Sequence, residues 1–314
     1  AEIPALDGFR ALTIAIVMLS HVGLQRIVPG QFGVTLFFFL SGYLITTLRR
    51  REPVRHGRID FRRFYLRRAI RILPPMYITI GFVALLSLAG WIHPIDLRAL
   101  PFDLLFLTNY FPVSGIPIGL WSLAVEVRWY LWLGILAALT LVRRRLAFTA
   151  VAGAWILWCA WQWWHGVPDA RDVRALGCIF LGGGMCAIWR DRLAITHVGM
   201  AGLIVLAAIA HGSRWFGPIA AIAALHFCLW AAYRLPALPW PRRIDWSYGL
   251  FLYGFPVEQC IAAWNPAITP LAMLPLALAG AAILAAISWH AIERPLLDRF
   301  KGKHAGTETP LPAV

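Results

Sequence analysis

Long apolar runs separated by short polar connections organise this chain of 314 residues. About twenty consecutive apolar residues cross the hydrocarbon core of a bilayer as an α-helix, so each run is a candidate membrane span. The pattern predicts an all-α fold, a polytopic integral membrane helical bundle with about ten transmembrane helices. The predicted spans are residues 8–26, 32–48, 70–90, 119–142, 146–164, 175–189, 193–210, 217–233, 246–264 and 271–291.

The basic residues between these runs predict which side of the membrane each connection faces. Alternate connections, together with the segment after the last span, hold 22 of the 29 Lys and Arg residues, and the opposite connections hold five. Cytoplasmic connections carry the excess of Lys and Arg, so this asymmetry places both termini in the cytoplasm. We expect one transmembrane domain over residues 1–300 and a flexible cytoplasmic tail over residues 301–314.

Composition supports the membrane class and narrows the partners. The chain is 60% hydrophobic and only 14% charged, which is more apolar surface than a soluble domain can bury. A net charge of +14 could indicate a nucleic-acid partner. However, the basic residues cluster between apolar runs, so they indicate membrane topology and contact with membrane lipids, and we expect no nucleic acid. No His or Cys cluster has metal-ligand spacing, so we expect no metal.

Two ionisable side chains, Arg10 and His21, lie in the first apolar run. Eleven residues at 100° per residue return a helix to within about 20° of its starting direction, so both side chains share one face, about 16 Å apart along the axis. Ionisable groups in a membrane helix normally face a protein interior or a wet cavity, which makes the pair a functional hypothesis. The alternative is an interfacial Arg and a hydrogen-bonded core His.

The connection at residues 49–71 contains ten Arg and no Lys. Guanidinium groups suit bidentate phosphate binding, whereas topology and lipid attraction accept either cation. The chain has only two Lys in all, so the preference for Arg does not decide between these interpretations. Arg68 and Arg71 are one helical turn apart on one face, where they could hold a phosphorylated ligand at the membrane mouth.

The fourth predicted span carries a polar stripe of Ser122, Glu126 and Tyr130, four residues apart. Arg128 projects about 200° away from Glu126 in a regular helix, so the two cannot be assumed to pair. Glu126 could make an ion pair with another span, or it could meet His21 in one cavity. The Pro-rich stretch 91–118, on the side opposite the Arg-rich connections, is either a cap over a cavity or an ordinary surface loop.

Six fragments, in this order, resemble the integral membrane acyltransferases of family 3, which O-acylate bacterial glycans and other small acceptors. The likeness covers nearly the whole chain. The fragments are Leu6-DGFR with His21, Phe32-GVTLFFFLSGYLI, Phe64-YLRRAIRILPP, Leu120-WSLAVEVRWYL, Asp245-WSYGLFLYGFPVEQ and Ile292-ERP.

The resemblance implies a bacterial inner-membrane enzyme that takes an acyl group, which we expect to be acetyl, from cytoplasmic acyl-CoA. It places Arg68 and Arg71 near the nucleotide phosphates of the donor and makes His21 the general base for an acceptor hydroxyl on a carbohydrate or lipid-linked glycan. Glu126 would orient the imidazole or bind the acceptor, and Arg10 would stabilise donor phosphate or developing negative charge. An acyl-histidine intermediate is the less favoured variant.

One position departs from the family pattern. Many members carry a His where this chain has Gly254, so that position supplies no acid–base chemistry here. The main rival function is a proton-coupled secondary transporter that uses Arg10, His21 and Glu126 as a relay, but the chain lacks the paired, Gly- or Pro-broken repeats typical of transporters. A third interpretation, a non-catalytic scaffold, would leave these buried ionisable groups without a purpose.

Overall fold

The computed structural model describes residues 5–25, 29–56, 61–111, 119–139, 141–167, 173–234 and 246–305. Over these residues the regular secondary structure is entirely helical. The α-helices are α1 Ala5–Leu19, α2 Gly30–His56, α3 Phe61–Leu88, α4 Leu100–Leu104, α5 Leu120–Ala138, α6 Arg145–Trp164, α7 Val173–Ile188, α8 His197–Ala210, α9 Phe216–Arg234, α10 Ser247–Trp264, α11 Pro270–Ser288 and α12 Arg294–Ala305. Two π-helical turns, Ser20–Leu24 and Trp289–Glu293, and two 3₁₀ turns, Leu97–Ala99 and Leu141–Arg143, complete the set.

Each predicted span coincides with a helix, and the all-α prediction is confirmed for the described residues. Six helices are long and apolar enough to cross a membrane: Gly30–Leu48, Phe61–Leu88, Leu120–Ala138, Arg145–Trp164, Phe216–Tyr233 and Pro270–Phe300. Three shorter apolar helices are Leu12–Leu24, Val173–Ile188 and His197–Ala210. Leucine and isoleucine side chains that are more than two-thirds exposed, such as Leu88, Leu157 and Ile209, match the apolar surface that lipid covers. The number ten and the side of each terminus stay predictions.

The Arg-rich segment differs from the predicted connection. Helix α2 continues through His56 and α3 begins at Phe61, so most of residues 49–71 is helical, while residues 57–60 lie outside the described part. Arginine is a good helix former, so both helices can extend past the apolar runs into the Arg-rich segment. At the other end of the chain, α12 reaches Ala305, and the rest of the predicted tail, 306–314, lies outside the described residues.

Helices α2 and α7 pack closely through glycine. A Cβ atom added to Gly42 would lie 1.9 Å from the carbonyl oxygen of Phe180, and one added to Gly183 would lie 2.3 Å from the carbonyl oxygen of Phe39. Small residues let membrane helices approach backbone to backbone, where packing replaces the hydrophobic drive that lipid cannot supply. Large side chains on both sides of the contact are fully buried, among them Phe38, Phe39 and Phe180.

Helix α1 contacts two pairs of packed helices, α2–α7 and α10–α11. It contacts α2 of the first pair and α10 of the second. Helices α10 and α11 pack closely, because a Cβ atom at Gly249 would lie 2.7 Å from Ala285. The segment between α3 and α5 returns to the bundle, because the Asn109 side chain donates a 2.7 Å hydrogen bond to the carbonyl oxygen of Trp121. Residues 112–118 of the Pro-rich stretch lie outside the described part.

Candidate active site

His21 lies on a π-helical turn at the end of α1. The turn covers Ser20–Leu24 and includes Gly23 with a φ of 104°, a left-handed conformation that favours glycine. A Cβ atom on Gly23 would also lie 3.2 Å from Cγ of Pro270, the first residue of α11. Single π-helical turns are rare and are frequently found at functional sites.

The imidazole of His21 lies against α10. Its Nδ1 atom is 3.4 Å from Oε2 of Glu258, and the edge of its ring meets the Phe255 ring with centroids 5.0 Å apart. The Glu258 side chain is only 2% exposed, whereas that of His21 is 37% exposed. The pair therefore joins a buried carboxylate to an imidazole that other molecules can reach.

Glu258 had no role in the sequence analysis, although it falls inside the predicted span 246–264. A carboxylate within an apolar run marks a functional candidate in its own right. That signal was present, because Glu258 is the only ionisable carboxylate in the span. Its partner could not be inferred, since 237 residues separate the two side chains in the sequence.

A first pocket gathers the predicted phosphate-binding side chains. Helices α1, α2, α3, α5 and α10 build its wall, and part of it is open to solvent. Arg10, Arg68, Arg71 and Glu126 all line it, so three guanidinium groups face one carboxylate. The remaining lining residues are Thr13, Ile14, Val17, Gly33, Val34, Phe37, Phe38, Ile72, Ser122, Leu123, Tyr130, Ser247, Tyr248 and Phe251.

Glu126 is held by hydroxyl groups at the wall of the first pocket. It is 4% exposed and accepts a 2.7 Å hydrogen bond from Oγ of Ser41 and a short hydrogen bond from the Tyr130 hydroxyl. The guanidinium carbon of Arg68 lies 5.0 Å from the centroid of the Tyr130 ring, within the range of a cation–π contact. Ser122, Glu126 and Tyr130 line the pocket together, which confirms the predicted polar stripe.

A second pocket contains His21. It is lined by Ser20, His21, Gln31, Trp121 and Phe255, together with Met18, Gly30, Gly119, Leu250, Gly254 and five residues that also line the first pocket. The shared residues are Ile14, Val17, Val34, Ser122 and Phe251. The two pockets therefore adjoin. Arg10 lines the first pocket, His21 lines the second, and Ile14 and Val17 of α1 line both.

The structure does not place Glu126 beside His21. Glu126 faces Ser41 of α2 in the cationic pocket, and Glu258 takes the place next to the imidazole. The reason is geometric, since His21 lies about three turns further along α1 than Arg10, at the level of α10 residues and beyond the reach of the α5 carboxylate. Gly254 lines the second pocket and carries no titratable group, as its identity required.

Arg128 serves a separate neighbour, as its predicted direction implied. Its Nη1 atom donates a 2.5 Å hydrogen bond to the Tyr110 hydroxyl, and its guanidinium carbon lies 4.6 Å from the Tyr110 ring centroid. Its Nε atom donates to the carbonyl oxygen of Ala124 at 3.2 Å. Arg128 therefore ties the segment between α3 and α5 to α5.

The chemistry available in these pockets is ionic at one end and acid–base at the other. Guanidinium groups around a partly enclosed space bind anions such as phosphates, and their effect is stronger there than in bulk water. An imidazole is the most common general base in enzymes. No group of three or more His, Cys, Asp or Glu that could hold a metal ion occurs in the described part of the chain.

These features define a multi-span helical membrane protein with two adjoining polar pockets inside its bundle. A model of an acyltransferase domain matches residues 3–292, so the chain belongs to the acyltransferase 3 family. Family membership confirms the resemblance.

Two relatives carry names that refer to peptidoglycan O-acetylation. The chain is 26% identical to the putative peptidoglycan O-acetyltransferase YrhL of Bacillus subtilis, over 94% of this chain and 55% of that protein. It is 31% identical to the peptidoglycan O-acetyltransferase OatA of Listeria monocytogenes, over 55% of this chain and 30% of that protein. It thus spans only about a third to a half of the length of these relatives. No solved structure matches the chain.

Proposed function

We propose that this chain is a membrane O-acetyltransferase that moves an acetyl group from cytoplasmic acyl-CoA to a hydroxyl group of a cell-envelope carbohydrate. The observation that carries the proposal is the pair of adjoining pockets, one lined by three Arg and the other by His21. The relatives that acetylate peptidoglycan indicate a glycan acceptor. Lipid-linked glycan and glycan strand both fit this chemistry.

The cationic pocket receives the donor. Arg68 and Arg71 bind the nucleotide phosphates of CoA, and Arg10 adds a third positive charge at the same end of the pocket. Glu126, held by Ser41 and Tyr130, keeps this cluster of guanidinium groups from carrying three uncompensated charges. The flexible pantetheine arm then extends along the shared wall of the two pockets and brings the thioester towards His21.

The second pocket receives the acceptor. Trp121, Phe251 and Phe255 offer aromatic surface for a sugar ring, and Ser20 and Gln31 offer neutral hydrogen-bonding groups. His21 takes the proton of the acceptor hydroxyl as its oxygen bonds to the thioester carbonyl carbon. The carbon–sulfur bond then breaks, and the proton passes from the imidazole to the departing CoA thiolate, so free thiol is released.

The experiment measures free CoA thiol released from acetyl-CoA by purified protein in nanodiscs, with peptidoglycan fragments as acceptor. His21→Ala should abolish acceptor-dependent release. His211→Ala is the matched control, because His211 lies at the end of α8 and lines neither pocket. Undiminished release by His21→Ala would contradict the role of His21. Acceptor-driven proton flux into liposomes without any acyl donor would favour the transporter.

The donor site has its own test. Arg68→Ala and Arg71→Ala should each weaken CoA binding by about tenfold to a hundredfold, the loss expected for one charged hydrogen-bonded contact. Arg145→Ala is the matched control, because Arg145 pairs with Asp191 at 2.8 Å and lines neither pocket. Equal CoA affinity in all three variants would contradict donor binding by Arg68 and Arg71, and would indicate that they only set the orientation in the membrane.

A further inference from the structure

Glu258 is a buried carboxylate with one ionisable neighbour. Its side chain is 2% exposed, and Nδ1 of His21 lies 3.4 Å from its Oε2 atom. Within the described part of the chain, neither carboxylate oxygen makes a hydrogen bond. The imidazole at 3.4 Å is therefore the polar group available to compensate the buried carboxylate.

A buried carboxylate of this kind does not stabilise the fold. Removing a carboxylate from water is costly unless ion pairing and hydrogen bonds compensate, and here a single imidazole must do so. An apolar residue in this position of α10 would pack at lower cost. Ionisable groups kept in such places are functional candidates, and the neighbour of Glu258 is the side chain to which the proposed function assigns the proton transfer.

The structure also restricts the imidazole from the other sides. His21 lies in the π-helical turn, and the Phe255 ring, one turn before Glu258 on α10, packs against the imidazole with ring centroids 5.0 Å apart. With Nδ1 directed at Glu258, the opposite ring nitrogen, Nε2, is directed away from the carboxylate. In an exposed imidazole this is the atom that a substrate hydroxyl can reach.

We propose that Glu258 is the positioning residue for His21, the role that the sequence suggested for Glu126. Glu258 accepts a hydrogen bond from Nδ1–H of His21 and so fixes the tautomer in which Nε2 is unprotonated and can take the acceptor proton. The carboxylate also stabilises the imidazolium that forms between acceptor attack and thiol release. The proposal rests on the proposed function, and the 3.4 Å separation shortens when the substrates bind.

The substitutions Glu258→Gln and Glu258→Asp test this role. In Glu258→Gln, kcat should fall by about 10²-fold to 10⁴-fold, as when a carboxylate that orients a catalytic imidazole becomes an amide. Acetyl-CoA affinity should stay within about twofold, because the donor phosphates bind in the other pocket. Glu258→Asp retains the charge and should recover part of the lost kcat. In the His21→Ala background, Glu258→Gln should cause no further loss, because residues that act as a unit are not additive.

Asp103→Asn provides the matched control for loss of a buried carboxylate. Asp103 is fully buried, accepts a 2.6 Å hydrogen bond from Thr108 and lines neither pocket. It should lower thermal stability and leave kcat within about threefold, a change worth less than 1 kcal/mol. The proposal is overturned if Glu258→Gln retains kcat, if it lowers acetyl-CoA affinity as much as kcat, or if Glu258→Asp recovers nothing. If His21→Ala is fully active the proposed function fails first, whereas an inactive His21→Ala with an active Glu258→Gln refutes this inference alone.

Discussion

Replacing Gly42 by alanine should destabilise the bundle at the contact between α2 and α7. A Cβ atom at Gly42 would lie 1.9 Å from the carbonyl oxygen of Phe180, 2.8 Å from its carbonyl carbon and 3.1 Å from its Cα atom. All three atoms belong to the backbone, so no side-chain rotation can relieve the overlap. Either the helices separate or the backbone of α7 distorts.

The magnitude follows from the size of that overlap. Carbon atoms pack at about 3.5–4.0 Å, so α2 and α7 must move apart locally by more than about 1 Å. Overpacking of this kind costs about 1–3 kcal/mol, while alanine in a helix returns about 0.5–1 kcal/mol relative to glycine. The difference between the two ranges is a net loss of up to about 2.5 kcal/mol in the free energy of unfolding, and the overlap with backbone atoms favours the upper part of that range.

The substitution should also lower CoA affinity, because Ser41 precedes Gly42 and donates the 2.7 Å hydrogen bond to Glu126 in the first pocket. The assay is thermal unfolding of the purified variant in detergent, with CoA affinity measured in parallel. Gly81→Ala is the control, because a Cβ atom at Gly81 of α3 meets nothing within 4 Å. That variant should be as stable as the wild type or more so. Equal stability of the two variants would refute the reasoning about the α2–α7 contact.

Three further substitutions test individual contacts. Gly23→Ala should cost about 1–3 kcal/mol in stability, because a φ of 104° is strained for alanine, and it should lower kcat by displacing the π-helical turn; an unchanged unfolding temperature would contradict this. Ser41→Ala should lower the free energy of unfolding by about 1.5–3 kcal/mol, because the Glu126 carboxyl group would lose a hydrogen bond. An unchanged unfolding temperature would contradict this. Arg128→Met should cost about 0.5–1 kcal/mol and speed limited proteolysis of residues 89–111, because the Tyr110 contact is lost; an unchanged cleavage rate would count against that anchor.

Much of the candidate site could be predicted from helical periodicity in the sequence. The apolar runs identified the helices, and the spacing of 100° per residue placed Arg10 and His21 on one face and Ser122, Glu126 and Tyr130 on another. These predictions concern residues on one helix, where the geometry follows from the sequence separation alone. The structure confirms the second stripe, whose three residues line one pocket, whereas Arg10 and His21 line two adjoining pockets.

The pairing of stripes on different helices could not be predicted in the same way. Which carboxylate meets His21 depends on how α1, α5 and α10 pack, and that arrangement follows from close contacts such as Gly249 with Ala285, which no local pattern reveals. The π-helical turn could not be predicted from the sequence either. It follows the last residue of α1, so the apolar pattern of the residues before it is unchanged. The helical structure within the Arg-rich connection was not predicted for a third reason. A polar segment has no apolar stripe from which a helical period can be recognised.

The wall shared by the two pockets gives the proposed reaction its spatial order. Four of its five side chains, Ile14, Val17, Val34 and Phe251, are apolar, and Ser122 is the exception. A thioester that passes from the guanidinium groups towards the imidazole therefore crosses a short apolar passage. Such a passage disfavours water near the acyl group, so the acceptor hydroxyl competes with little hydrolysis. In the proposed reaction the charge that binds the donor and the base that activates the acceptor lie on either side of this shared wall, with Arg10 in the first pocket and His21 in the second.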